Sequence, residues 1–139
     1  MSIKNYLSQI KILDMRIDAK IEQLAVLNTL ARSATSVLTG MPHSPNKGAS
    51  KLEDTMVKII DLQEEINRDI DELVDMKRDA VALIKSVPVP EQQAVLEKRY
   101  LCFQSWETIA KETGYSVRYL LKLHDRGLKN ISFSEKEDT

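Results

Sequence analysis

Two long runs without glycine or proline, residues 3 to 38 and 51 to 87, constrain this chain more than any other feature. In the first, Ile3, Leu7, Ile10, Ile17, Ile21, Leu24, Ala31 and Leu38 recur at alternating steps of four and three residues, or their multiples. That spacing keeps them on one stripe of an α-helix. In the second, Leu52, Met56, Ile59, Ile66, Ile70, Leu73, Ala80, Ile84 and Val87 repeat the pattern. The skipped stripe positions hold Asp14, Asn28 and Thr35 in one run and Gln63 and Lys77 in the other. Polar residues there can fix register in a coiled coil at some cost in stability.

Between the runs, "TGMPHSPNKGAS", residues 39–50, concentrates glycine, proline, serine and asparagine and reads as an exposed loop. His43 lies in it without ligand partners nearby. Two helices of similar length, each about 50 Å long at 1.5 Å per residue, are expected to fold back on each other and bury their stripes. Residues 1 to 50 carry six basic and three acidic groups and residues 51 to 90 carry six and ten, so the arms attract. Further apolar residues, among them Leu13, Val26, Leu27, Leu30, Ile60, Leu62, Val74, Met76, Val81 and Leu83, widen the stripe beyond what one partner helix covers. A second copy of the hairpin, giving a four-helix homodimer, is the expected cover. The alternative is the C-terminal domain folding onto the hairpin.

"SVPVPEQ", residues 86–92, breaks the helical pattern at Pro88 and Pro90. The expected organisation is a hairpin over 1–87, a second domain over 88–131 and a polar tail over 132–139. In that second domain "EQQAVLEKRYLCF" presents Val95, Leu96, Tyr100 and Leu101 as a supporting helix. Ser105 can cap a helix through Trp106, Ile109 and Ala110, and Gly114 suits a turn needing positive φ. Ser116 can cap a last helix whose Leu120, Leu123, Gly127 and Ile131 line one face. A small residue at the helix crossing, a glycine turn and apolar residues at these places meet the packing demands of a helix-turn-helix. The expected fold is therefore all-α: a long antiparallel helical hairpin followed by a helix-turn-helix domain.

The opposite face of the last helix carries Val117, Arg118, Leu121, Lys122 and Asp125, with Arg126 and Lys129 near its end. Residues 117 to 130 hold four basic groups and one acidic, within a chain of net charge −1. A DNA major groove offers base edges to the first turns of such a helix and phosphates to its later cations. Arg118 and Lys122 can donate to guanine, and Val117 or Leu121 can touch a thymine methyl. Ser116, Arg126 and Lys129 are assigned to the DNA backbone, and Tyr119 either to the backbone or to packing.

"VLEKRYLCFQSWETIAKETGYSVRYLLKLHDRGLKNI" resembles region 4 of sigma-70-type factors, whose pattern is a "VLxLRY" helix, a "SxxEIAxxLG" helix and then "SxxxVxxLxxRALxKL". With "YLSQIKILDMRIDAKIEQL", "SATSVLTGMPHSPN" and "MVKIIDL" before it, the chain also resembles small region 4-like proteins of phages and prophages of Firmicutes. The resemblance implies regulation of phage genes on promoter DNA in the bacterial cytoplasm, with host RNA polymerase as a further partner. The positions that read the upstream promoter element in region 4 fall on Val117, Arg118, Leu121 and Lys122. Val117 and Leu121 replace residues that are often basic, so the recognised sequence is expected to differ. Gly127 stands where alanine is usual and is expected to loosen the helix. The hairpin lacks the aromatic cluster that captures melted DNA, so promoter opening by this chain alone is not expected. An alternative implied role is binding RNA polymerase or a host sigma factor without reading DNA.

No phosphate-binding glycine loop, metal-spaced His and Cys cluster or Ser/His/Asp grouping stands out, so neither an enzyme nor a cofactor or metal site is expected. The carboxylates of "DLQEEINRDIDELVD" read as a solvated helix face, and His124 as a packing or phosphate-touching residue. The single Cys102 sits in an apolar run and is expected as a buried thiol. No run approaches the ~20 apolar residues of a membrane span.

Overall fold

The computed structural model describes residues 2–40 and 45–131, with the side chains of 36–49 excepted. The described part is all-α, 88% helical and without strands. Helix α1 spans Ile3–Gly40 and α2 spans Pro45–Lys85. They are followed by α3 (Pro90–Leu96), a π-helical turn (Glu97–Leu101), α4 (Trp106–Thr113) and α5 (Val117–Lys129). No described helix is long and apolar enough to cross a membrane.

The loop expected over 39–50 needs correction, because α1 runs to Gly40 and α2 already begins at Pro45. Proline opens a helix readily, since the amide hydrogen it lacks has no partner in a first turn. Residues 41–44, His43 included, and the tail 132–139 lie outside the described residues.

Two compact units share the chain: Met1–Leu13 with Leu73–Thr139, and Asp14–Glu72. Their division crosses both long helices instead of falling at Pro88. The reason is one buried cluster in the first unit, where Leu7 and Ile10 of α1 meet Ala80 and Ile84 of α2, then Val87, Leu96, Tyr100 and Ile131. In this unit the wide apolar stripe of the long helices is covered by the C-terminal helices. A second cluster, Val95, Ile109, Leu120 and Leu123, with Trp106 and Ala110 against it, holds α3, α4 and α5 together.

In the second unit Ile17, Ile59, Leu62 and Ile66 are buried, and Lys20 of α1 makes a 2.5 Å ion pair with Asp69 of α2. At the polar stripe positions Asp14 and Gln63 the preceding leucines, Leu13 and Leu62, are the buried residues. A straight helix of 3.6 residues per turn drifts by ~20° per heptad from the seven-residue repeat, so the buried line steps to a neighbouring residue. Ile21, Met56 and Ile70, by contrast, stay 47%, 44% and 40% exposed despite lying on the expected stripe.

Candidate nucleic-acid interface

Capping chemistry sets the ends of α4 and α5. The Ser105 hydroxyl accepts the Thr108 amide at 3.1 Å, and the Ser116 hydroxyl accepts the Tyr119 amide at 3.1 Å. Each satisfies an amide that the first turn of a helix would otherwise leave unpaired. Between them Gly114 ends α4 at φ +77°, donating its amide to the Ala110 carbonyl at 2.9 Å. That left-handed conformation is the one expected of the glycine in this turn.

α5 is two-faced. Leu120, Leu123, His124 and Gly127 are buried, whereas Val117, Arg118, Leu121, Lys122, Arg126 and Lys129 are all exposed. Steps of three and four residues put these exposed side chains on one surface. None of the four cations makes an ion pair among the described residues. The first turn of α5 holds no acidic residue, so its amide ends keep their partial positive charge beside Val117 and Arg118.

Gly127 has a packing role. A Cβ there would stand 2.9 Å from Leu96 Cδ1 and 3.3 Å from Gln92 Cβ, so the glycine lets α5 lie close against α3. Close packing against α3 is what it provides, a role beyond the helix loosening expected of it. Asn130 Nδ2 closes the same crossing, donating to Gln92 Oε1 at 2.8 Å.

No family model, curated protein or solved structure matches this chain. The properties of the surface therefore rest on its own residues.

Tyr119, assigned to the DNA backbone or to packing, has neighbours within the protein: its hydroxyl donates to Glu91 at 3.4 Å and its ring meets Tyr115 edge-on at 5.0 Å. The Glu91 carboxylate beside it raises the pKa of the phenol. Ser116 has its oxygen committed to the cap, which leaves its proton free to donate. Cys102 is exposed, contrary to the buried thiol expected, because it follows the π turn and lies outside the helical apolar stripe.

The π turn is the feature that sequence periodicity missed. The Cys102 amide reaches the Glu97 carbonyl at 3.1 Å, one residue further back than in an α-helix, and Phe103 follows at φ +56°. Lys98 ties this turn to α4 through a 2.7 Å ion pair with Glu112, which raises the lysine pKa and lowers the carboxyl's. Arg99 lays its guanidinium 4.8 Å from the Trp106 ring centre and donates to the Gln104 carbonyl at 3.0 Å. Tyr100 turns inward to His124. Nothing local in "EKRYL" signals these contacts, whose partners lie as far as 24 residues away.

Proposed function

We propose that this chain is a sequence-specific DNA-binding regulator, reading promoter DNA in the major groove with α5 in a helix-turn-helix. What carries the reading is the two-faced character of α5: a buried face fixed by Leu120, Leu123 and Gly127, and an exposed face of Val117, Arg118, Leu121 and Lys122 without ion-pair partners among the described residues. Base-edge donors and apolar contacts belong on the first turns, and backbone-neutralising cations such as Arg126 and Lys129 on the later ones. The sequence resemblance to region 4-like phage proteins supports the same reading and proposes phage or prophage promoters as the targets.

A homodimer through the second unit is part of the proposal. Val26, Leu30, Met56, Val57 and Ile60 there are between 44% and 59% exposed, and a cleft of about 660 Å³ opens beside Met56, Ile59 and Ile60. Apolar surface of this kind is a mark of protein–protein contact. Two copies would give one regulator two reading helices for paired half-sites.

The test is selection of bound fragments from phage and host DNA by the full-length protein, beside the double variant Arg118→Ala/Lys122→Ala. A discrete enriched site lost in the variant is the expected result. Enrichment without a common site, or a site kept by the variant, overturns reading by α5.

A further inference from the structure

The first compact unit holds a polar cavity of about 310 Å³ on the flank of α5, opposite the crossing with α3. Lys4 and Ser8 of α1, Arg99 and Tyr100 of the π turn, and His124 and Asp125 of α5 supply its polar lining. Trp106 and Leu121 supply apolar wall. Leu121 is at the same time one of the residues on the exposed face of α5, so the cavity and that face adjoin.

The donors and acceptors around this cavity do not balance. Lys4 makes no hydrogen bond or ion pair among the described residues, and neither does the half-buried Ser8 hydroxyl. Arg99 spends one amino group on the Gln104 carbonyl and its flat face on Trp106, but pairs with no carboxylate. A guanidinium has five N–H donors, so most of its capacity is unspent. The one acid of the lining, Asp125, has its carboxylate oxygen 3.0 Å from His124 Nδ1 and is turned mostly to solvent. His124 receives the Tyr100 hydroxyl on its other nitrogen, at 2.6 Å. Two cations and a hydroxyl, none of them paired with a carboxylate, thus line a recess that holds one acid, Asp125.

We infer that this cavity is an anion site that takes a tetrahedral phosphate group, held by Lys4, Arg99 and Ser8. Charge-assisted hydrogen bonds to phosphate are what an arginine and a lysine with free donors make best. The same chemistry comes from two sources: a phosphate of the DNA backbone beside the α5 contact, or a free phosphate-bearing small molecule. The site rests on the cavity lining and stands whether or not α5 reads DNA.

His124 is a built-in reporter. Burial is the main cause lowering its pKa; Asp125 works against that, and Lys4 and Arg99 lower it further. Those three residues and Tyr100 are the titratable or charged groups that face it from α1, the π turn and α5. An anion that neutralises Lys4 and Arg99 removes their repulsion of the imidazolium, so binding raises the His124 pKa.

The experiment is a titration of the full-length protein with inorganic phosphate at constant ionic strength, following the His124 ring signals by NMR. His43, the other of the two histidines, is replaced by glutamine to leave a single set. The expected result is a saturable shift and a higher titration midpoint for His124. In Lys4→Gln, an exposed position without described partners, the affinity drops roughly tenfold or more, the loss of one charge-assisted contact. Duplex DNA that displaces the phosphate and shifts the same signals identifies a backbone phosphate as the occupant. Duplex that binds and leaves the phosphate in place identifies a free anion. Signals unmoved by both phosphate and duplex overturn the site, and so does a shift equal in wild type and Lys4→Gln. Loss of DNA binding in Arg118→Ala/Lys122→Ala leaves the phosphate arm readable, so the two proposals fail separately.

Discussion

The Tyr100 hydroxyl lies 2.6 Å from His124 Nε2, joining the π turn to the middle of α5 inside the first unit. His124 Nδ1 is 3.0 Å from the Asp125 carboxylate, which can only accept, so Nδ1 carries a proton; because burial lowers the His124 pKa, the ring is neutral at neutral pH and Nε2 accepts the phenol proton. Trp106 of α4 closes the third side, edge-on at 5.1 Å. A histidine that looks like one more polar residue of a basic helix is thus a junction of three elements.

Acidification should therefore weaken the fold. The His124 pKa is lowered in the folded protein, mainly by burial, against an unfolded value of about 6.5. Its contribution is complete above the unfolded value and is lost progressively as pH falls from there toward the folded one, because the unfolded chain gains the proton first. Urea unfolding at stepped pH should show this loss, and His124→Gln should remove that part of the slope. Tyr100→Phe, which leaves Nε2 without its donor, should cost about 1–3 kcal/mol at neutral pH.

The caps offer a second check. Ser116→Ala removes the acceptor for the Tyr119 amide and Ser105→Ala that for Thr108, each expected to cost about 1 kcal/mol in thermal or denaturant unfolding. Gly114→Ala must hold φ near +77° with a Cβ and should cost a further ~1–2 kcal/mol, although nothing crowds the position. If Gly114→Ala were neutral, the turn would be relaxing to another conformation.

On DNA, the two ends of α5 should behave differently. Arg126→Ala or Lys129→Ala should weaken binding to all sequences alike and reduce the slope of log affinity against log salt by about 1 each. Arg118→Ala should cost about 1–3 kcal/mol on the selected site and relax specificity at one base position. Binding curves at several salt concentrations on cognate and scrambled duplexes separate the two.

Association should follow the exposed apolar residues of the second unit. Replacing Ile60 by lysine, at a position 51% exposed, places a charge on that surface without disturbing a buried side chain. The mass in sedimentation or light scattering should fall from dimer to monomer while helix content by circular dichroism is kept. A monomeric wild type would remove the homodimer from the proposal.

Much of this architecture was legible in the order of residues, because it is written in local physics. Helical periodicity in the two long runs, Ser105 and Ser116 as caps, and Gly114 as the left-handed turn each involve residues within four positions of one another. Backbone sterics and the 3.6-residue repeat act at that range, so the pattern alone specifies the outcome. The buried line Leu120, Leu123, Gly127 and Ile131, and with it the exposure of Val117, Arg118, Leu121 and Lys122, follows from the same rule.

Tertiary structure decided what depends on distant partners. Whether Ile21 or Leu13 is buried is set by which surface lies opposite, not by its place in a repeat. The close approach permitted by Gly127 needs Leu96 and Gln92 on the facing helix. The π turn that carries Tyr100 to His124, and the meeting of Lys4 with Arg99 around one cavity, bring together residues up to 95 positions apart, as far as Lys4 is from Arg99 in the chain. Short-range propensity has no term for such pairs; only the packing of the first unit around Leu7, Ile84 and Leu96 puts them within reach.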